Sequence, residues 1–354
     1  MSNLFKLLLA MALSLSSLSA NAEYNLSVLG GNSYYANINN SNQAAGYSYQ
    51  DAYPQAILLN NSNTSPLGTL GGNSSYGYGI NDSGQVAGYS NTSNGDTHAT
   101  VWSGTNTIDL GAGYGYAINS SGQVAGNASY NGNTRATLWS NGTSNDLGTL
   151  GGTSSFAYAI NSSGQVAGES YLTGTYSHHA VLWSNGNITD LGQNGSSAWG
   201  INDAGQVVGG ANVNSSYHAI LWTNGVASDL GTLNGDNVST AYGINSTGQI
   251  VGNSYSTGGS PNQHGVIWYN GTVTDLNTLL SASYKNDGWV VTDAKAINDN
   301  GSILAYASNS LMGISGQVLL TSVAAVPELN TNVMLLMGAG VMGFIVRRRK
   351  QAAA

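Results

Sequence analysis

An isoleucine-asparagine pair returns seven times along the chain, with the asparagines at Asn39, Asn81, Asn119, Asn161, Asn202, Asn245 and Asn298. The spacings are 42, 38, 42, 41, 43 and 53 residues. Such a recurrence confines the chain to architectures in which one supersecondary unit packs on copies of itself. A period near 42 with several short β-type runs fits one four-stranded propeller blade. Leucine-rich and β-helix repeats are much shorter, and helical repeats of this length need helix formers that are missing here.

Within each copy four runs recur, as in Tyr76 to Ile80, Gln85 to Tyr89, His98 to Trp102 and Thr107 to Leu110. The first turn is Asn-x-x-Gly, with Gly84, Gly122, Gly164, Gly205, Gly248 and Gly301 where a positive φ is expected and Asn42 in that place in the first copy. A later turn is Asn-Gly, at Asn141-Gly142, Asn185-Gly186, Asn224-Gly225 and Asn270-Gly271, which predicts two-residue type I′ hairpins. In the run before each anchor, large residues (Tyr76, Tyr78, Ile80) alternate with small ones (Gly77, Gly79). Large-small alternation predicts a strand covered on both faces, the large face of one blade fitting the small face of the next.

The chain enters at Tyr24 to Gly31, which matches only the last run of a copy, and the seventh copy ends without its fourth run. The surplus strand can complete the last blade and remove two open edges. The expected fold is therefore all-β: a seven-bladed β-propeller of four-stranded repeats over residues 23–323, closed by the N-terminal strand.

Both ends carry signals of export. Lys6, the apolar run Leu7 to Ala20 and the Ala20-Asn21-Ala22 sequence follow the order of a cleavable signal peptide, residues 1–22, cut by signal peptidase after Ala22. The tail, residues 324–354, holds Val326-Pro327-Glu328, an uncharged stretch and Arg347-Arg348-Arg349-Lys350. As a helix, 329–346 spans about 27 Å against a hydrocarbon core of ~30 Å, a marginal transmembrane segment. The basic cluster 347–350 predicts a cytoplasmic C-terminus and a body on the outer side of the inner membrane.

Two resemblances attach to these residues. The Val-Pro-Glu, short apolar helix and arginine cluster resemble the PEP-CTERM sorting signal, with Leu329 where that family usually has a second proline. That resemblance implies an exosortase that cuts near Pro327-Glu328 and passes the body to the cell surface or exopolysaccharide matrix; an anchor that is never cut is the alternative. Leu147 to Gly152, Ile160 to Gly168 and His179 to Trp183 are similar to the HAF family of extracellular repeats, and the likeness covers nearly all of the body. It implies exported, propeller-like proteins of undefined activity.

Composition narrows the partners. Between Glu23 and Val326 three cations, Arg135, Lys285 and Lys295, face fifteen carboxylates, a formal charge near −12. Nucleic acid and anionic headgroups are poor partners for that surface. Without cysteine there is neither a disulfide framework nor a thiolate metal site.

Candidate chemistry is sparse. His98, His179, His218 and His264 share one repeat position, and repeat-equivalent residues spread around a ring instead of converging on a metal, so a hydrogen-bonding role is expected. Asp109, Asp146, Asp190, Asp229 and Asp275 recur likewise and are expected to fix backbone amides at turns. No cofactor motif is present: the glycine-rich segments lack the strand-to-helix context and lysine of a phosphate loop. Glu169 stands where other copies have Tyr89 or Asn127, and with Tyr130, Tyr171, Tyr217 and Tyr255 it is a candidate ligand contact, since aromatic faces among polar groups can stack on sugar rings. The expectation is a non-enzymatic structural or glycan-binding role in the envelope or exopolysaccharide matrix. The alternative is an extracellular glycosidase or lyase, which needs converging charged residues on the axis, with Glu169, Asp293 and Lys295 the candidates.

Overall fold

In a computed structural model, residues 23–30, 33–49, 52–192, 195–257 and 263–323 are described. Ala22, Val326, Pro327, Glu328, the segment 329–346 and Arg347, Arg348 and Arg349 lie outside them. Among the described residues no helix is long and apolar enough to cross a membrane. Asn25–Thr321 form one compact unit, the body.

The body is a seven-bladed β-propeller of four-stranded antiparallel sheets. Numbering each blade by its anchor asparagine, the inner strands are Ser33–Ile38, Gly71–Ile80, Tyr114–Ile118, Gly151–Ile160, Ser197–Ile201, Val238–Ile244 and Trp289–Ile297. Two short helices, Leu276–Leu279 and Ala282–Asn286, occupy the longer sixth-to-seventh connection. Closure is as the chain ends predict: the seventh sheet runs Trp289–Ile297, Ile303–Asn309, Ile314–Val323 and then Glu23–Val28. Gln317 of blade 7 adds to the seam, accepting from the backbone NH of Tyr35 and donating to its carbonyl at 2.6 Å.

Local chemistry dictates the turns. The six anchor-turn glycines have φ between +74° and +81°, and Asn42 adopts +57° in their place. Each Asn-Gly pair has positive φ at both residues (Asn141 +52°, Gly142 +76°), the type I′ signature.

Packing between blades differs from the sequence expectation in one respect. A large face does meet a small one, but on the second and third strands: Val86 and Trp102 of blade 2 cluster with Ala45 and Ala56 of blade 1, and Val166, Val181 and Trp183 of blade 4 with Ala125 and Ala136 of blade 3. On the inner strand the pairing register shifts between Gly77 and Gly79, and at the equivalent place in other blades. That shift takes Tyr78 out of strict alternation and turns it to the axis. The flanking glycines then serve close approach: a Cβ on Gly77 would meet the Gly46 carbonyl of blade 1 at 2.8 Å, and one on Gly79 the Tyr116 carbonyl of blade 3 at 2.9 Å.

Candidate functional site

Three layers of repeat-equivalent residues line the propeller axis. Three positions before the anchors stand Ala36, Tyr78, Tyr116, Tyr158, Trp199, Tyr242 and Lys295, which wall a cavity of about 450 Å³. One position before the anchors all seven residues are isoleucine: six of them, all but Ile38, also line that cavity, and all seven line a second of about 220 Å³ on their other side. The second is polar, lined by six of the seven anchor asparagines (all but Asn202) and by Asp82, Asp203 and Asp299. The axis is thus an aromatic chamber floored by a greasy belt, with a polar dish behind it.

The chamber's rim is also aromatic. Tyr34 and Tyr47 have centroids 5.2 Å apart, Tyr47 and Tyr76 4.8 Å, Tyr76 and Tyr89 4.7 Å, and Tyr89 and Tyr114 4.9 Å. This arc across blades 1 to 3 uses offset and edge-to-face contacts, the favourable arrangements for ring quadrupoles. Burial pushes the hydroxyl of Tyr78 up to about 12 even though its hydrogen bond with Tyr89 works against the rise, and burial followed by the contact with Tyr78 raises that of Tyr89.

Beyond the arc the repeat is broken by two charged groupings. In blade 4, Glu169 is only 8% exposed and accepts from Ser197 Oγ of blade 5 at 2.5 Å. His178 Nε2 is 3.9 Å from the carboxylate. Tyr171 lies against Phe156 (6.3 Å) and His178 (5.5 Å), and Tyr158 against Trp199 (4.5 Å). Burial first, then the Glu169 charge, push the Tyr158 hydroxyl well above the ordinary phenol range. Blade 5 has Gly210 where other blades carry a side chain on this strand, and the ring of Tyr217 fills the space, 2.3 Å from where a Cβ would stand. Burial raises the Tyr217 hydroxyl, while hydrogen bonds with Trp199 and Ser197 work against the rise. In blade 7, Lys295 Nζ is 2.5 Å from Asp293 Oδ2 and 4.1 Å from the centre of the Tyr242 ring. Burial opposes the ammonium charge, but Asp293 and Tyr242 prevail and its pKa is raised. Asn253 Nδ2 reaches both Tyr242 and Asp293, at 3.3 and 3.4 Å.

Of the sequence candidates, Glu169, Tyr171 and Tyr217 come together at the blade 4–5 wall. Tyr130 and Tyr255 end the second strands of blades 3 and 6 and make no described side-chain contact with that group. The large-small alternation puts Tyr78 in the blade interface; the structure instead turns it, with Tyr116, Tyr158, Trp199 and Tyr242, to the axis. The signal that separates them is variation: the isoleucine position never changes, while this one passes from aromatic to Ala36 and Lys295.

The recurrent histidines and aspartates pair within blades. Nδ1 of His98, His179, His218 and His264 lies 2.8, 2.9, 2.8 and 3.1 Å from Asp109, Asp190, Asp229 and Asp275. Asp109, Asp146, Asp190 and Asp229 also accept from the backbone NH two residues on, each at 2.8 Å. Among the described residues no three His, Asp or Glu gather as metal ligands.

No family model and no curated protein matches the chain. Solved structures do resemble it. TolB from Acinetobacter baumannii is 13% identical with a TM-score of 0.42, covering 55% of this chain and 52% of its own. Pyrococcus horikoshii acylaminoacyl peptidase is 9% identical at 0.48, covering 81% of this chain and 52% of its own. Aleuria aurantia lectin, in complex with alpha-methyl-L-fucoside, is 14% identical at 0.35, covering 86% and 97%. The chain spans about half the length of the first two.

Proposed function

We propose that this chain is an exported, exosortase-sorted protein of the cell surface or exopolysaccharide matrix, and that its propeller binds glycan in the axial chamber without chemical turnover. The observation that carries the binding half is the chamber itself. It is concave, floored by six isoleucines, and walled by five aromatic side chains with a few polar groups behind them. A volume of about 450 Å³ lies within the range of small-ligand sites, and flat aromatic faces suit the apolar faces of pyranose rings. The export half rests on the Ala20-Asn21-Ala22 sequence and on the Val326-Pro327-Glu328 and Arg347-Arg348-Arg349 tail.

The binding half is tested on a glycan array with the full-length protein in detergent, beside Tyr116→Ala and Trp199→Ala. Loss of the bound spots in both variants supports it, and retention of every spot overturns it. Mass spectrometry of both termini, in host strains with and without exosortase, tests the export half. Termini near Glu23 and Glu328 that depend on exosortase support it, and an intact tail in both strains overturns the sorting step.

A second reading, a carbohydrate-active enzyme, is favoured by Glu169, Asp293 and Lys295, charged residues that break the repeat beside the chamber. It predicts turnover of an array-positive polysaccharide, abolished by Glu169→Gln or Asp293→Asn.

A further inference from the structure

The two charged groupings beside the chamber are variations on one theme, an aromatic face with a carboxylate next to it. On the blade 6–7 side the theme is complete: Tyr242 supplies the ring, Asp293 the carboxylate, and the ammonium of Lys295 sits between them at 4.1 and 2.5 Å. On the blade 4–5 side Tyr158 and Trp199 supply rings on the chamber wall and Glu169 the carboxylate, held by Ser197 Oγ. No lysine or arginine pairs with Glu169 among the described residues; its nearest basic group is His178, at 3.9 Å. The other two body cations are engaged elsewhere, Arg135 beside Asp146 and Lys285 on the Thr278 carbonyl.

An ammonium over an aromatic face is held by the ring quadrupole, and a nearby carboxylate in a poorly solvated place adds to that attraction. The body's fifteen carboxylates against three cations favour the approach of cations to such a chamber. The isoleucine belt leaves the tyrosine-rich mouth as the way in.

We propose that the chamber selects an amino sugar, seating the protonated amine of a 2-amino-2-deoxyhexose against Tyr158, Trp199 and Glu169 as Lys295 is seated against Tyr242 and Asp293. The inference rests on the glycan-binding reading and names its substrate class. The saccharide ring stacks on the aromatic wall, and the amine is drawn to the Glu169 carboxylate, which no lysine or arginine among the described residues neutralises. N-acetylation removes the charge and enlarges the group, so an acetylated unit loses the attraction.

The test is titration calorimetry of the full-length protein with a β-1,4-linked glucosamine trimer and with its fully N-acetylated counterpart. The expected result is that the amine form binds about tenfold tighter, and that Glu169→Gln abolishes this preference, bringing the affinities for the two trimers together. Equal affinity for the two trimers, or a Glu169→Gln protein as selective as the parent, overturns the inference. If Glu169→Gln does not fold, as judged by its circular dichroism and melt, Trp199→Leu takes its place, and an undiminished amine preference overturns the inference. If neither trimer binds but a neutral glycan on the array does, the inference falls and glycan binding stands. If no glycan binds at all, both fall.

Discussion

Asn298 Nδ2 donates to the carbonyl oxygen of Asn39 at 2.8 Å, across 259 positions of sequence. It is the closing member of a complete circuit: Asn39 donates to Asn81, Asn81 to Asn119, Asn119 to Asn161, Asn161 to Asn202, Asn202 to Asn245 and Asn245 to Asn298, at 3.0 to 3.2 Å. The same side chains hold their own turns; Oδ1 of Asn161, for example, accepts the Gln165 NH at 2.9 Å. One buried amide therefore fixes a hairpin and a blade interface together. Asn161→Ala leaves several of these groups unpaired and is expected to cost about 2–3 kcal/mol, read as a lower urea midpoint at unchanged m-value. Asn298→Ala should cost at least as much, because it also removes a bond to Asn42 Oδ1 at the seam. Midpoints equal to the parent's would show that the circuit is incidental.

Glycine in Gln-Val-x-Gly is required by a strand crossing. A Cβ on Gly168 would stand 1.9 Å from the Phe156 carbonyl oxygen and 2.9 Å from the Trp183 ring, and Gly88, Gly126, Gly209 and Gly252 are equally crowded. Blade 7 carries Ala305 in this place, and there the inner pairing has an additional register shift, between Val291 and Asp293. Gly168→Ala should destabilise by about 1–3 kcal/mol or more. Gly316→Ala, with nothing within 4 Å and no positive φ, should be neutral or gain about 0.4–1 kcal/mol. Thermal melts of the two variants check the contrast, and equal Tm values would contradict it.

These two relationships show where sequence was informative. Asparagine and glycine at fixed offsets marked the blades, their turns and the closing strand, because the chemistry that needs them is local or repeats with the period. The chamber was harder to read. Tyr78 leaves the blade interface because a register shift between two strands turns it, and pairing registers are not written in the spacing of one strand. Glu169 was singled out as an exception to the repeat, but its partner Ser197 lies in the next blade. Nor does the composition of blade 5 announce that Tyr217 fills the space over Gly210.

The closing strand gives a prediction of its own. Leu26 is 4% exposed, and Leu29 NH bonds the Gln317 carbonyl at 2.9 Å just beyond the strand. Leu26→Ala should cost about 2–4 kcal/mol. Deleting residues 23–28 should bare the edge of Ile314–Val323 and drive strand-to-strand association. Light scattering should then report concentration-dependent oligomers absent from the parent. A deletion protein that stays monomeric and melts with the parent would show that closure needs only the asparagine circuit and Gln317.

Tyrosine burial around the chamber makes the fold sensitive to alkali. Burial pushes the Tyr78 hydroxyl to about 12 and raises Tyr89, Tyr158 and Tyr306 as well, so the folded state favours the neutral phenol. Unfolded tyrosine ionises near pH ~10. A group whose folded pKa is raised contributes stability that is fully present below the unfolded value and is lost as pH climbs through the folded one. Stability should therefore hold to about pH 10 and fall between there and pH 12. In a phenolate absorbance titration, the exposed tyrosines should ionise first while the β-sheet circular dichroism persists, and the buried group should follow only as that signal is lost. Tyr78→Phe should remove one member of the late group and lessen the alkaline loss. If all 21 tyrosines ionise around one ordinary midpoint with the sheet signal intact, the chamber is wetter than its packing indicates.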